Sequence, residues 1–423
     1  MMAQNNQQVI CGQGEQTRPY IYELDPLRTV TALAVVLVHV MSFTMFFNHT
    51  ATSLLVDNGI FTSIHFTREI FMFVTALALT YVYYGKPFEP SRFWAKRSIG
   101  VLLPYCLWSL AYTWVNNPSQ HSPGAFAKLA LFNILTGNAS YQLYYILLAI
   151  QFYIVLPLFL LLLKHIQKHP WRALLISFAL QVLMMYLDYR YLQQGSLASS
   201  GVWQMVATYQ NSFLLTYQFY FILGGLAAVY LKQARAFVLS HGKWIVGVFV
   251  LGLVAVWVHF LLQVEVFHES FGYVTSVLQP METIYSTIVI VLLCWLTCRW
   301  AKSLNQQGHP KWYGFWHALS DASFGIYLVH VFILNALLRW VVPLIPAAWP
   351  AAIDIFLMWF LTAGGAAGIS VLLMKTPILS RLVGRSTHWR TSWQPDALHE
   401  WFSNPFHHQR QVEEKKAGDT QHV

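Results

Sequence analysis

Ten apolar runs of about 20 residues recur along the 423-residue chain, and they limit its fold more than any other feature. They lie near 26–47, 62–84, 94–115, 142–164, 171–188, 212–231, 243–263, 279–298, 319–342 and 350–374. As a helix, about 20 residues cross a hydrocarbon core of roughly 30 Å. Backbone polar groups find no water there, so a helix that satisfies its own hydrogen bonds is the expected form. The stretch 126–136 is too short to cross and reads as an interfacial or re-entrant helix. Charged residues make up 10% of the chain, against roughly 25% in a soluble domain. The deficit runs almost end to end, which leaves no soluble half to house a separate catalytic domain. The expected fold is an all-α polytopic membrane protein of about ten transmembrane helices. Residues 1–20 form a polar N-terminal segment, 21–390 the transmembrane domain, and 391–423 a polar, His-rich tail expected to be disordered.

The net charge of +9 is explained by orientation rather than by nucleic acid. Lys86, Arg92, Lys96 and Arg97 fall in one connection, Lys164, Lys168 and Arg172 in another, and Lys232, Arg235 and Lys243 in a third. Arg299, Lys302 and Lys311 follow, then Lys375, Arg381, Arg385 and Arg390. The alternate connections hold only Lys128, Arg190 and Arg339. The positive-inside rule then predicts both termini in the cytoplasm of a multi-pass plasma-membrane protein. Residues 1–20 lack the basic and apolar regions of a cleavable signal, so the first span is expected to remain as an anchor. Cys11, Cys106, Cys294 and Cys298 are too few for a disulfide scaffold, and the last two sit in an apolar run as core- or lipid-facing residues. No metal site and no internal repeat is expected.

An ionised side chain inside a span costs about 2.5–3.5 kcal/mol on insertion scales, so each such residue needs a partner, water or a task. In span one, Arg28 and His39 are eleven residues apart. At about 100° per residue they share one helix face, roughly 16 Å apart along the axis. In span two, HFTREIFMF brings Arg68 and Glu69 to one end, with His65 and Thr75 near the Arg68 face. Arg68 and Glu69 point about 100° apart, so their partners are expected on other helices. In span nine, Ser320, Ser323, Tyr327 and His330 form a polar stripe, which must face protein or water. At the entry to span three, Arg92, Lys96 and Arg97 stand beside Phe93 and Trp94 and suit phosphate recognition. Structural accounts stand beside these: Arg28 snorkelling, His39 packing, Arg68 and Glu69 as an ion pair that fixes helices, the stripe as interhelical hydrogen bonding, and the basic trio as a topology anchor.

Together these residues resemble the integral-membrane acyltransferase 3 family, whose members O-acylate extracytoplasmic polysaccharides, lipid-linked sugars and related acceptors. LDPLRTVTALAVVLVH is similar to its first-helix block, FTREIFMFVTALALTY to the second, RFWAKRSIGVLLPY to the third, YQLYYILLAIQFYIVLPL to the fourth, and SDASFGIYLVH to the block with the ninth-helix histidine. The resemblance implies an acyl-coenzyme A donor, usually acetyl-CoA, approached from the cytoplasm, and a glycan or lipid-linked sugar as acceptor outside. It implies His39 as the catalytic base, and Arg28, Arg97 and Lys96 as contacts of the donor phosphates. Arg68, Glu69, Ser323, Tyr327 and His330 are implied at or around the acceptor. No permanently bound cofactor is expected, and the partners are the acyl-CoA, the glycan and membrane lipids. The pattern departs at Val101, where many members carry a second arginine, and at Thr75 and Ala76, where Ser-Gly is common. Arg68 without that second arginine is closer to relatives linked to cell-surface polysaccharide such as poly-N-acetylglucosamine, some of which have been proposed to export or succinylate their polymer. A histidine with a pKa of about 6.5 in water suits both halves of a proton transfer, and Tyr327 or His330 is the expected support for His39 or for an oxyanion. The competing class is a transporter or exporter that uses Arg68, Glu69 and the Ser/Tyr stripe as a path without acyl transfer. A purely structural or sensory protein would leave the Arg28–His39 stripe unexplained.

Overall fold

The computed structural model describes residues 18–45, 50–119, 122–199, 201–307, 313–346 and 349–384. Most of segment 1–20, the tail 391–423, Cys11, Lys311, Arg385 and Arg390 lie outside the described residues. The compact helical unit starts at Glu23, and every element described below belongs to it. Its helices are α1 Leu24–Thr44, α2 Ala51–Ser63, α3 Thr67–Tyr83, α4 Pro90–Arg97, α5 Leu103–Asn116, α6 Pro123–Thr136, α7 Tyr144–Ile166 and α8 Pro170–Leu187. They continue as α9 Gly201–Tyr209, α10 Gln218–Val229, α11 Leu231–Ser240, α12 Gly242–Leu261, α13 Phe271–Val274, α14 Pro280–Gln307, α15 Tyr313–Trp340 and α16 Ala351–Lys375. The protein is an all-α polytopic membrane protein. Among the described residues nine helical stretches are long and apolar enough to cross a membrane, or ten if the bent pair Gly201–Ser212 and Leu214–Val229 counts as one span.

The second span starts earlier than the sequence suggests, at Ala51 instead of residue 62, because α2 and α3 run on through a short turn. The sixth expected span, 212–231, is half of the bent pair, which breaks by 53°. Residues 126–136 do form a short apolar helix, α6.

Proline sets several helix starts. Pro90, Pro123, Pro170 and Pro280 are the first residues of their helices, where a missing N–H has no helical acceptor to lose. Inside helices proline has a different effect. Pro157 in α7 leaves the Tyr153 carbonyl without its usual donor, and the Trp94 indole N–H of α4 fills that place at 2.8 Å. Pro104 follows the π turn Ser98–Leu102 that joins α4 to α5, a local rearrangement that a proline ring commonly demands.

Helix α1 packs against α2, α3, α14, α15 and α16. Val36, Val40 and Met41 sit in a core with Ile326 and Val329 of α15 and Met358 of α16. An α1 that is apolar nearly all round is thus covered nearly all round. The α3–α10 contact is very close: a Cβ at Gly224 would lie 2.3 Å from the Phe73 carbonyl oxygen, the small-residue contact that membrane helices use in place of hydrophobic force. Gly137 closes α6 at φ +77°, and a Cβ there would lie 2.8 Å from the Tyr144 Cα. That turn delivers Ser140–Tyr145 into the bundle.

Candidate active site

A cavity of about 190 Å3 opens between α1, α3, the start of α7 and α15. Val35, Val38, His39 and Ser42 of α1 reach it because steps of three and four residues share one helix face. His65, Arg68, Gln142, Tyr144, Tyr145 and Tyr327 supply the rest of its polar wall. Among the described residues, rings and not a carboxylate hold His39 in place. Its imidazole lies 4.6 Å from the Tyr141 ring and 5.3 Å from that of His330, nearly parallel to the latter at 20°. His330 is fully buried. Its Nδ1 lies 3.2 Å from the Ile326 carbonyl and 2.8 Å from that of Tyr327. Two carbonyl acceptors assign the proton to Nδ1, which leaves Nε2 bare and without a partner.

Arg68 enters the cavity from the first turn of α3. Its Nη1 donates to Asn211 Oδ1 at 3.2 Å and to the Tyr217 hydroxyl at 3.4 Å, and its guanidinium lies 5.8 Å from the centre of the Tyr144 ring. Asn211 and Tyr217 belong to the bend between α9 and α10. There the backbone leaves the helix and side chains replace its bonds. Gln151 of α7 donates to the Ser212 carbonyl at 2.7 Å and accepts from the Leu214 N–H at 3.0 Å. Gln181 of α8 donates to the Thr216 carbonyl at 2.6 Å. Irregular backbone at membrane depth needs such protein partners.

Behind Arg68 are two buried carboxyl groups, Glu69 of α3 at 3% exposure and Glu282 of α14 at 4%. Each leaves Oε2 without a hydrogen-bond partner, and Arg68, Glu69 and Glu282 lie within electrostatic reach of one another. Glu282 is absent from the residues picked out in the sequence, although it falls within the eighth apolar run, where the rule applied to Arg68 and Glu69 applies equally. Asn211, Gln142, Gln151 and Gln181 carry no charge, so a rule keyed to ionisable side chains within spans does not reach them.

The sequence-derived residues fall into two groups. His39, Arg68 and Tyr327 line the cavity, His330 stacks behind His39, and Glu69 stands behind Arg68. Ser323 is partly buried one turn before Tyr327 and is not part of the cavity wall. Ser320 donates to the buried Asp25 carboxylate at 2.9 Å, as does His317 at 3.0 Å, which ties α15 to α1. Arg28, Lys96 and Arg97 are outside the cavity. Two of them come near tyrosines of α7, Arg28 near Tyr145 and Arg97 near Tyr153. Tyr145 is in the wall, 3.5 Å from the Thr75 hydroxyl, and within electrostatic reach of Arg28 and Tyr153. Arg97 lies 5.2 Å from the centre of the Tyr153 ring and 5.6 Å from that of Phe93. Lys96 is exposed on α4.

Tyr327 and His330, the expected support for His39 or for an oxyanion, direct their donors to backbone carbonyls in this structure. The Tyr327 hydroxyl donates to the Gln142 backbone carbonyl, so its proton is already used. His330 carries its proton on Nδ1 and has none on Nε2. His330 meets His39 by ring stacking instead.

Comparison with known proteins gives one finding for the whole site. A family model for an acyltransferase domain, that of the acyltransferase 3 family, matches residues 21–375. No curated protein and no solved structure matches the chain. The match begins before α1 and ends with α16, so it takes in every helix that builds the cavity. The chain therefore belongs to the acyltransferase 3 family.

Proposed function

We propose that this membrane acyltransferase is an O-acyltransferase that uses acyl-CoA, with acetyl as the expected acyl group. It takes the donor from the cytoplasmic side and acylates a hydroxyl of an extracytoplasmic sugar, polysaccharide or lipid-linked glycan. The observation that carries this reading is His39, an imidazole with no carboxylate partner, clamped between two rings in the wall of a polar cavity inside the membrane domain. A neutral imidazole there takes the proton of the attacking hydroxyl and returns it to the leaving thiolate. Direct transfer requires donor carbonyl and acceptor oxygen about 3–3.5 Å apart, which suits a small shared cavity. Arg28 and Arg97 are assigned to the donor phosphates, since Arg28 is within reach of Tyr145 in the cavity wall and Arg97 lies by Tyr153 on the same helix. Tyr145 and Tyr153 are eight residues apart on α7, about 12 Å along its axis, a distance that a flexible pantetheine chain can span. The exposed Lys96 is assigned to the rim of the same anion site. Arg68, Tyr327 and Glu69 fall on the acceptor side, and His330 acts as packing for His39.

The test uses purified protein in liposomes with radiolabelled acetyl-CoA and candidate glycans on the opposite side. Label should become covalently attached to acceptor, and His39→Ala should reduce transfer to background while leaving expression and membrane insertion intact. Full activity of His39→Ala removes His39 from the reaction. The bend at Gln210–Tyr217 favours a second reading, since transporters place broken helices at their substrate paths. Movement of label across the membrane without covalent attachment decides for transport.

A further inference from the structure

We infer that the exposed rings of Tyr141 and Phe43 form the seat of the acceptor, and that the acceptor is a ring sugar and not an acyclic polyol. The inference rests on the acyl-transfer reading above. Tyr141 stands in the short connection between α6 and α7 that follows the Gly137 turn, next in the chain to Gln142 of the cavity wall. Its ring is against the proposed base, with the His39 and Tyr141 centres 4.6 Å apart and their planes tilted by 53°. Phe43 is four residues beyond His39 and one before the end of α1, so it lies one turn further along nearly the same helix face. Its ring is centred 5.4 Å from that of Tyr141, at 45°. The three rings therefore lead from the base toward the end of α1 away from Leu24, the end from which the proposed acceptor enters. The two rings that flank His39 differ in one respect. His330 is fully buried, whereas Tyr141 is 38% exposed and Phe43 beside it is 37% exposed.

A pyranose carries hydroxyls around its edge and bare C–H groups on its faces. Those C–H groups are weakly positive, while the face of an aromatic ring is negative, so the sugar lays a face on the ring and keeps its hydroxyls to the side. Tyrosine and phenylalanine have only two side-chain torsions to fix, so such a seat costs little ordering. A sugar on Tyr141 brings its edge hydroxyls next to the imidazole, as proton transfer over about 2.6–3.2 Å requires. Phe43 widens the seat on the side away from the base. An open-chain polyol has no flat apolar face to lay there. Aromatic rings at a membrane boundary also anchor helices at the headgroups. Anchoring by Phe43 needs apolar bulk, whereas a sugar seat needs a flat face, and leucine separates the two.

The experiment uses purified wild type, Phe43→Leu, Tyr141→Leu and Tyr141→Phe in liposomes, each first checked for monodispersity in detergent. Acetyl transfer is measured to short oligomers of N-acetylglucosamine, glucose and galactose, and to an oligomer of ribitol phosphate as the acyclic comparison. Wild type should prefer a pyranose oligomer. The KM for that oligomer should rise about three- to tenfold in Phe43→Leu and in Tyr141→Leu, the range of a lost aromatic contact. The KM for acetyl-CoA should stay within about twofold of wild type in both, because the donor does not use the seat. Tyr141→Phe keeps the ring and should keep the oligomer KM within about twofold. Phe43→Leu carries the test alone if Tyr141→Leu does not fold. The assignment is overturned if the oligomer KM of Phe43→Leu stays within about twofold of wild type, or if both KM values rise together. It is also overturned if Tyr141→Phe loses as much as Tyr141→Leu, or if wild type prefers the ribitol phosphate oligomer. A wild type that transfers acetyl to neither class overturns the acyl-transfer reading itself.

Discussion

Arg68 and Glu69 show how one residue position can serve two surroundings. Arg68 turns to the cavity and the bend, whereas Glu69, about 100° further round α3, is buried toward Glu282 of α14. One half-buried guanidinium thus stands in the field of two buried carboxyl groups. Removing one partner of a buried ionic set typically costs about 3–5 kcal/mol, because the remaining charge is left uncompensated, while removing both partners together is often close to neutral. Arg68→Met should therefore lower the thermal stability of the detergent-solubilised protein, and adding Glu69→Gln should recover part of the loss, since Glu282 stays buried without the cation. The coupling in that double-mutant cycle is the readout. Additive losses would mean that Arg68 and Glu69 are independent in the folded state. Glu282 was open to the same reasoning from sequence alone. What the sequence did not contain is that Glu282 and Glu69 converge, since that depends on α14 docking against α3.

At the scale of elements, the spans themselves were legible because length and apolarity are properties of each run. The interruptions were not. The bend between α9 and α10 depends on amides that arrive from α7 and α8, so no local pattern in 201–229 reveals it. The same holds for the Tyr153 carbonyl, which Pro157 vacates and Trp94 fills. Of the candidate site, the stripe of Arg28 and His39 could be read from periodicity, and His39 does line the cavity. The separation of Arg28 and Arg97 from it could not. Because Gln151 holds both a carbonyl and an N–H of the bend, Gln151→Leu should orphan the two, at about 1–3 kcal/mol each. Hydrogen exchange should then lose protection around Ser212–Leu214 while α1 and α15 keep theirs. Unchanged exchange across the bend would show that the glutamine is not what holds it.

At the scale of the whole molecule, the depth of the site joins charge to mechanism. His39 lies fifteen residues from the start of α1 and five from its end, about 22 Å and about 8 Å along the axis. The cationic connections gather at the Leu24 end: those after α3, between α7 and α8, and around α11. If that end faces the cytoplasm, as the positive-inside rule predicts, a cytosolic donor must extend deep into the bundle, while an acceptor outside needs to enter only about 8 Å. The reverse orientation would give the long path to the acceptor and put Arg28, in the first turns of α1, on the acceptor's side. Orientation is therefore a test of substrate assignment as well as topology. With the native cysteines replaced, single cysteines at Lys168, exposed between α7 and α8, and at Glu265, exposed beyond α12, report the two ends. In intact cells an impermeant maleimide should label the Glu265→Cys protein and reach Lys168→Cys only after permeabilisation. The opposite pattern would put His39 close to the cytoplasm and sink the assignment of Arg28 and Arg97 to the phosphates of a cytosolic donor.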